Sequence, residues 1–318
     1  MFRFLKTWTL PLAILTGALA YAVYHLCPCF DLTRPYAAPI VSVVQPVLIF
    51  SMLFLSFCKV SPSQLRLRRV HFVHLLFQCG LFAAGSLLLH FFPQVPGSII
   101  IESAMLCLIC PTATAAAVVT QKLGGDAADV TMYTLLINLS VAVTVPLLVP
   151  LIHPEVGSHF LHSFFLILCR VFPMLICPLL AAFAVRRFAP RLHAWFTSFR
   201  DLAFYLWAIA LSLAIAVTVR SIVHTDHAAT ELVGIAFISL FCCILQFGVG
   251  KRLGRRYGLP VSTTQSLGQK NTVFAIWLGY TFFNPVTSMA GGFYSIWHNL
   301  YNTWQMRAYS RKAGKGGA

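Results

Sequence analysis

The chain has little charge and very little acid. Of its 318 residues only 10% are charged, and only eight are Asp or Glu. A soluble domain of ordinary make-up does not look like this. The signatures of an intramembrane enzyme are missing as well: there is no HExxH, no GxSxG and no acidic pair within the apolar runs. The chain is therefore not expected to be an enzyme. Metal-ligand spacing is also wanting. Cys27-Pro28-Cys29 has two thiols one residue apart but no His or carboxylate cluster beside it, a weak signal for a metal or a disulfide. The ten cysteines lie mostly inside apolar runs and read as small buried hydrophobes.

What is abundant is apolar surface. Hydrophobic residues make up 58% of the chain and the mean hydropathy is +0.80. Runs of about 20 apolar residues recur, the length that crosses a bilayer as helix. They fall near 8–27, 37–58, 71–92, 98–121, 128–152, 160–185, 200–221, 230–250, 262–283 and 285–306. The fold class expected is an all-α polytopic membrane protein of ten transmembrane helices. The opening segment resembles a signal peptide, but its apolar part is too long for one and reads as the first span.

The net charge of +15 would suggest nucleic acid in a soluble chain. Its placement argues otherwise, and no nucleic-acid partner is expected. Nineteen of the 23 Lys and Arg fall in the N-terminus and every second loop, whereas the opposite loops hold only Arg34 and Arg220. That asymmetry puts both termini in the cytoplasm, with anionic lipid as the partner of the positive loops. The remaining two, Arg170 and Lys270, lie within spans.

Ten spans divide into two sets of five of opposite starting side, which is the arithmetic of an inverted repeat over 1–155 and 156–318. In such folds, interrupted helices at matching positions point to the binding site. The fourth span contains Cys110-Pro111-Thr112-Ala113-Thr114, and Pro111 removes a backbone donor and should break the helix. The ninth contains Ser266, Gly268, Gln269, Lys270 and Asn271, where Gly268 permits unwinding. Lys270 sits about ten residues, or ~15 Å of helix, from either end of its span. Snorkelling does not easily rescue a charge at that depth, and placing it there costs on the order of 2.5–3.5 kcal/mol. An intramembrane charge marks a substrate or ion pathway by default. The plain alternative is a structural lysine bonded to backbone carbonyls.

Three strings carry a resemblance. They are CPTATAAAVVTQKLGGD in the fourth span, GQKNT in the ninth and Ser295-Ile296-Trp297-His298-Asn299-Leu300 in the tenth. In order, spacing and span they resemble the bile acid:sodium symporter family. The resemblance implies a panel domain of spans 1, 2, 6 and 7 and a core domain of spans 3–5 and 8–10. Helices 4 and 9 would cross at their breaks in that core. It further implies alternating-access transport of an organic anion, typically amphipathic, with sodium. The chain departs from the family pattern where sodium would bind. Ala116 and Ala117 stand where relatives hold a Ser-Asn pair, and Ser266 and Lys270 stand where they hold Glu and Gln, with Asn271 retained. Sodium needs several oxygen ligands, and a nearby ammonium repels it by several kcal/mol at low dielectric. The expectation is sodium-independent transport with Lys270 in the place of a sodium ion. Lys270 could instead load and release a proton.

Other polar residues admit a plain reading beside a functional one. Arg170, in the middle of the sixth span, either pairs a substrate carboxylate or bonds to backbone. Glu102 is either interfacial or a binding group. His298 is either a packed histidine or a proton relay. Asn138, Ser140 and Thr144 offer polar atoms on the fifth span, although hydroxyls there often bond back to their own helix. The candidate substrate- or ion-binding set is thus Pro111, Thr112, Thr114, Asn138, Arg170, Ser266, Gly268, Gln269, Lys270, Asn271, His298 and Asn299. The expected location is the bacterial-type inner or plasma membrane, and monomer and homo-oligomer both stay open. No cofactor beyond the questionable sodium is expected. Rival readings are an arsenite-type exporter using Cys110 and a non-transporting ligand sensor on the same fold.

Overall fold

The computed structural model describes residues 2–153, 159–199, 201–224 and 228–315. The expected boundary between halves, at 155/156, and Arg200 lie outside the described residues. The protein is 85% helical, with no strand among the described residues. Fourteen helices follow in order: α1 Phe2–Leu26, α2 Arg34–Cys58, α3 Arg69–Phe91, α4 Ser98–Ile109, α5 Ala116–Lys122, α6 Ala127–Ile152, α7 Phe160–Leu175, α8 Cys177–Phe188, α9 Pro190–Ser198, α10 Leu202–Val223, α11 Ala229–Tyr257, α12 Pro260–Gly268, α13 Thr272–Phe282 and α14 Met289–Lys315.

Five segments are long and apolar enough to cross a membrane: Pro28–Cys58 (a short 3-10 turn plus α2), α3, α6, α10 and α11. A sixth is the pair α7 and α8, bent by 40°. This is an all-α membrane protein. The other apolar stretches fall short of a full span for definable reasons. The fourth is split into helices of 12 and 7 residues and the ninth into helices of 9 and 11. The apolar helix within α1 covers Pro11–Leu26. The last helix, α14, is long but polar, with His298, Asn299, Asn302 and Gln305 along it.

Helix ends follow local chemistry. Asp126 caps α6, its carboxylate accepting from Ala128 N at 3.0 Å and Asp129 N at 3.1 Å. Gly258, at φ +72°, ends α11 in the left-handed conformation that suits glycine, and Leu259 N returns to Gly254 O at 2.8 Å. That turn lays α12 against α11, where Gly250 and Gly254 leave room for Thr263.

Helices α1, α2, α8 and α10 pack on one another. Helices α3, α4, α6 and α11 to α14 form a second group, joined to the first by α7, which packs on α6, α2 and α8, and by α13 and α14, which touch α10 and, for α13, α2. Large apolar side chains such as Leu15, Val43, Leu139, Phe237 and Ile244 stay exposed on the outside, as a lipid-facing surface requires. The deepest segment is α12 with α13: every residue from Ser262 to Gly279 is buried, although ten of the first eleven are polar or glycine.

Candidate functional site: two unwound segments that cross

Breaking a helix where its backbone is buried frees polar groups that must find partners within the protein. Residues 110–115 and 269–271 solve this by crossing each other. Thr112 and Lys270 form an antiparallel bridge, with Asn271 N donating to Pro111 O at 2.8 Å and Ala113 N to Gln269 O at 2.9 Å. Side chains finish the pairing. The Thr112 hydroxyl donates to Ser266 O at 2.7 Å, and the Cys110 thiol to Asn271 O at 2.8 Å. The Lys270 N–H donates to His298 Nδ1 at 3.2 Å, so that nitrogen carries a lone pair. The Tyr294 hydroxyl donates to Gly268 O at 2.9 Å.

Lys270 is 2% exposed. Its ammonium donates to Leu108 O at 3.4 Å, one of the carbonyls that the break at Pro111 leaves free at the end of α4. That end carries the negative pole of a helix, which favours a cation. No carboxylate lies within ion-pair distance of Lys270 among the described residues. Cys79, Cys107, Cys110 and Cys242 surround it within electrostatic range.

Two amides that the sequence reading did not single out also serve carbonyls at the end of α4. Gln78 of α3 donates to Leu108 O at 2.7 Å and leans on Cys110 O at 3.4 Å, while its own oxygen accepts from the Tyr133 hydroxyl. Gln246 of α11 donates to Cys107 O at 3.2 Å and to the Tyr294 hydroxyl at 3.1 Å. A signal existed: each is a lone amide inside an apolar run, in the third and eighth stretches respectively, which are matching positions in a five-plus-five arrangement.

The expected site residues divide into groups. Pro111, Thr112, Ser266, Gly268, Gln269, Lys270, Asn271 and His298 meet at the crossing. Ser266 Oγ and Gln269 Oε1 are buried there without a protein partner. Thr114 is half-buried just beyond it. Asn271 is spent differently from expectation: its side-chain oxygen accepts from Phe274 N at 3.2 Å and caps α13. Gly268 also differs. It stays in α12 as the last residue, and a Cβ there would lie 2.2 Å from the Phe247 ring, so its smallness admits Phe247 rather than unwinding the chain. Asn299 turns back to Ser295 O at 2.7 Å, and Asn138 to Thr134 O at 2.8 Å, each on its own helix; Asn138 Oδ1 remains unpartnered.

Arg170 is not at the crossing. It is exposed on α7, its guanidinium 6.0 Å from the centre of the Phe282 ring at the far end of α13. Glu102, by contrast, is buried rather than simply interfacial. It accepts from the Thr287 hydroxyl at 3.2 Å and faces His153 at 3.3 Å, tying α4 to the end of α6 and to the α13–α14 turn. At the opposite end of α6, Asp129 is buried and meets Arg68 Nε and His71 Nε2, both at 3.1 Å. Ser262 at the start of α12 bonds the Asp126 backbone at 2.9 Å and 3.2 Å.

The chain matches no protein-family model and no curated protein.

Proposed function

We propose that the protein is a secondary carrier of a small organic anion in which Lys270 takes the place of a bound metal cation. The reading adopts ten membrane crossings in two inverted five-helix halves, with both termini cytoplasmic and the broken fourth and ninth spans at the centre. The grouping of α1, α2, α8 and α10 against the remaining helices supports a panel moving on a core. One observation carries the reading: a buried ammonium at the crossing of two unwound segments, held by a helix-end carbonyl and without a carboxylate. Such a charge is available to an anion that brings its own counter-charge.

The donor set does not suit sodium. Asn271 Oδ1 is occupied by the α13 cap, Ala116 and Ala117 have no side-chain oxygen, and the ammonium stands among the remaining groups. An arsenite-type role for Cys110 is disfavoured because its thiol is fully buried and donates to Asn271 O.

The test is a thermal-shift screen of organic anions on the purified protein, followed by sodium-free counterflow of the best binder in proteoliposomes. Counterflow that persists without sodium and disappears in Lys270→Gln supports the carrier. Binding without counterflow points to a sensor, and steep sodium dependence contradicts the reading.

A further inference from the structure

The buried face of α3 carries Val70, His71, His74, Gln78, Phe82, Ser86 and Leu89. A helix stripe of this kind is ordinarily apolar. Here His71, His74 and Gln78 interrupt it, and they run from one mouth of the helix bundle to Lys270.

At the mouth is an open cleft of about 260 Å³ lined by Ser63, Gln64, Arg66, Arg68, Asp126 and Asp129. Asp129 is 3% exposed, and its Oδ2 has no protein partner. Its Oδ1 meets His71 Nε2, while His71 Nδ1 accepts from the Arg68 N–H at 3.2 Å. One turn deeper is His74, fully buried, with neither ring nitrogen bonded to protein. It lies within electrostatic range of both His71 and Lys270. The Tyr133 ring packs on both imidazoles, with centroids 6.1 Å and 5.2 Å away, and its hydroxyl ends on Gln78. Gln78 and Lys270 then share Leu108 O.

A histidine kept in an apolar core without a partner carries a desolvation cost that a leucine would not, and polar groups so placed are normally served by bridging water. We propose that this stripe is a proton route joining Lys270 to the cleft between the starts of α3 and α6. The proposal rests on the reading of Lys270 as the tethered cation of a carrier and adds how its charge is exchanged. The Lys270 ammonium gives one proton, through bridging water, to a free ring nitrogen of His74. His74 passes it by water to the His71–Asp129 pair, and Asp129 releases it to water in the cleft. The reverse sequence reloads the amine. One proton is exchanged with one aqueous side, and nothing is oxidised or reduced. The charged and titratable groups facing the route are Arg68 and Asp126 at its mouth, Tyr133 from α6, Cys79, Cys107, Cys110 and Cys242 around Lys270, and His298 on the Lys270 N–H. Toward the opposite side, α4 contributes Met105, Leu106 and Ile109 to the core between Glu102 and the break.

The test is a pH jump on proteoliposomes of the full chain, adsorbed to a solid-supported membrane, with no solute added. Folding of each variant is checked by its elution profile and thermal transition. The wild type is expected to give a transient charge displacement, and Lys270→Gln to lose its amplitude. His74→Gln is expected to keep the amplitude and slow the transient on the order of a hundredfold, as loss of a positioned proton-transfer group does. If His74→Gln does not fold, His71→Gln carries the same expectation. Histidine variants that keep the wild-type rate overturn the route while leaving the Lys270 reading intact. A Lys270→Gln transient of full amplitude overturns the reading beneath it, and a wild type with no transient overturns the proton exchange.

Discussion

The two breaks meet the same need in different ways. The first, residues 110–115, is opened by Pro111, and the α4 carbonyls it frees are served from other helices: by Gln78 on α3, Gln246 on α11 and the Lys270 ammonium. The second, residues 269–271, is only half as long. It caps its own following helix with Asn271, pairs its backbone with the first break, and takes further partners from α14 through His298 and Tyr294. A proline break is simple to make but depends on remote donors, whereas an Asn-capped break carries part of its own solution. The lysine belongs to the second break and serves the first, so the two cannot be altered independently.

The strongest way to break that arrangement is Lys270→Glu. It buries a carboxylate against Leu108 O at the negative end of α4 and is expected to destabilise by about 3–5 kcal/mol, the usual result of an uncompensated buried charge. Thermal unfolding in detergent reads it, and Lys270→Met should unfold at a clearly higher temperature. Gln78→Leu leaves Leu108 O and the Tyr133 hydroxyl short of a partner and should cost about 1–3 kcal/mol. On the second break, Gly268→Ala drives a methyl into the Phe247 ring, which is itself stacked on Tyr301 at 3.9 Å. Overpacking of this kind costs typically about 1–3 kcal/mol, and adding Phe247→Leu should recover most of the loss. Asn271→Ala removes one cap and should cost about 1 kcal/mol. A larger loss for Asn271→Ala than for Gln78→Leu would reverse the contrast between the breaks.

How much of this was legible in the sequence depends on range. The break at Pro111 was readable because proline acts on its own turn. Lys270 was readable because a charge deep in an apolar run has no inexpensive explanation. Asn271 stands before a helical run, which is a cap signal in its own right, and its side chain caps α13. A missing side chain at Gly268 does not tell, in sequence alone, whether it serves backbone freedom or a neighbour's ring; here it admits Phe247. Gln78 and Gln246 went unnoticed because their partners are about 30 and 140 residues away in sequence, and only packing brings them together. Arg170 has the chemistry for an anion, but its position on α7 carries it to Phe282 instead. The full-length spans were plain where helices are continuous, as in α3, α6, α10 and α11. The expected tenth span, 285–306, was less plain: α14 is long but polar, with His298 and Asn302 buried along it.

In the proposed carrier a tethered ammonium does what a mobile cation would otherwise do. The most direct measurement is the unfolding temperature of the purified protein across a sodium titration at constant ionic strength, with choline as the replacement ion. A cation that binds only the folded state raises stability with its concentration, by roughly 2.7 kcal/mol at a hundred times its dissociation constant. The account predicts a flat response to sodium in the wild type. A sodium-dependent rise in the unfolding temperature that choline does not reproduce would contradict it.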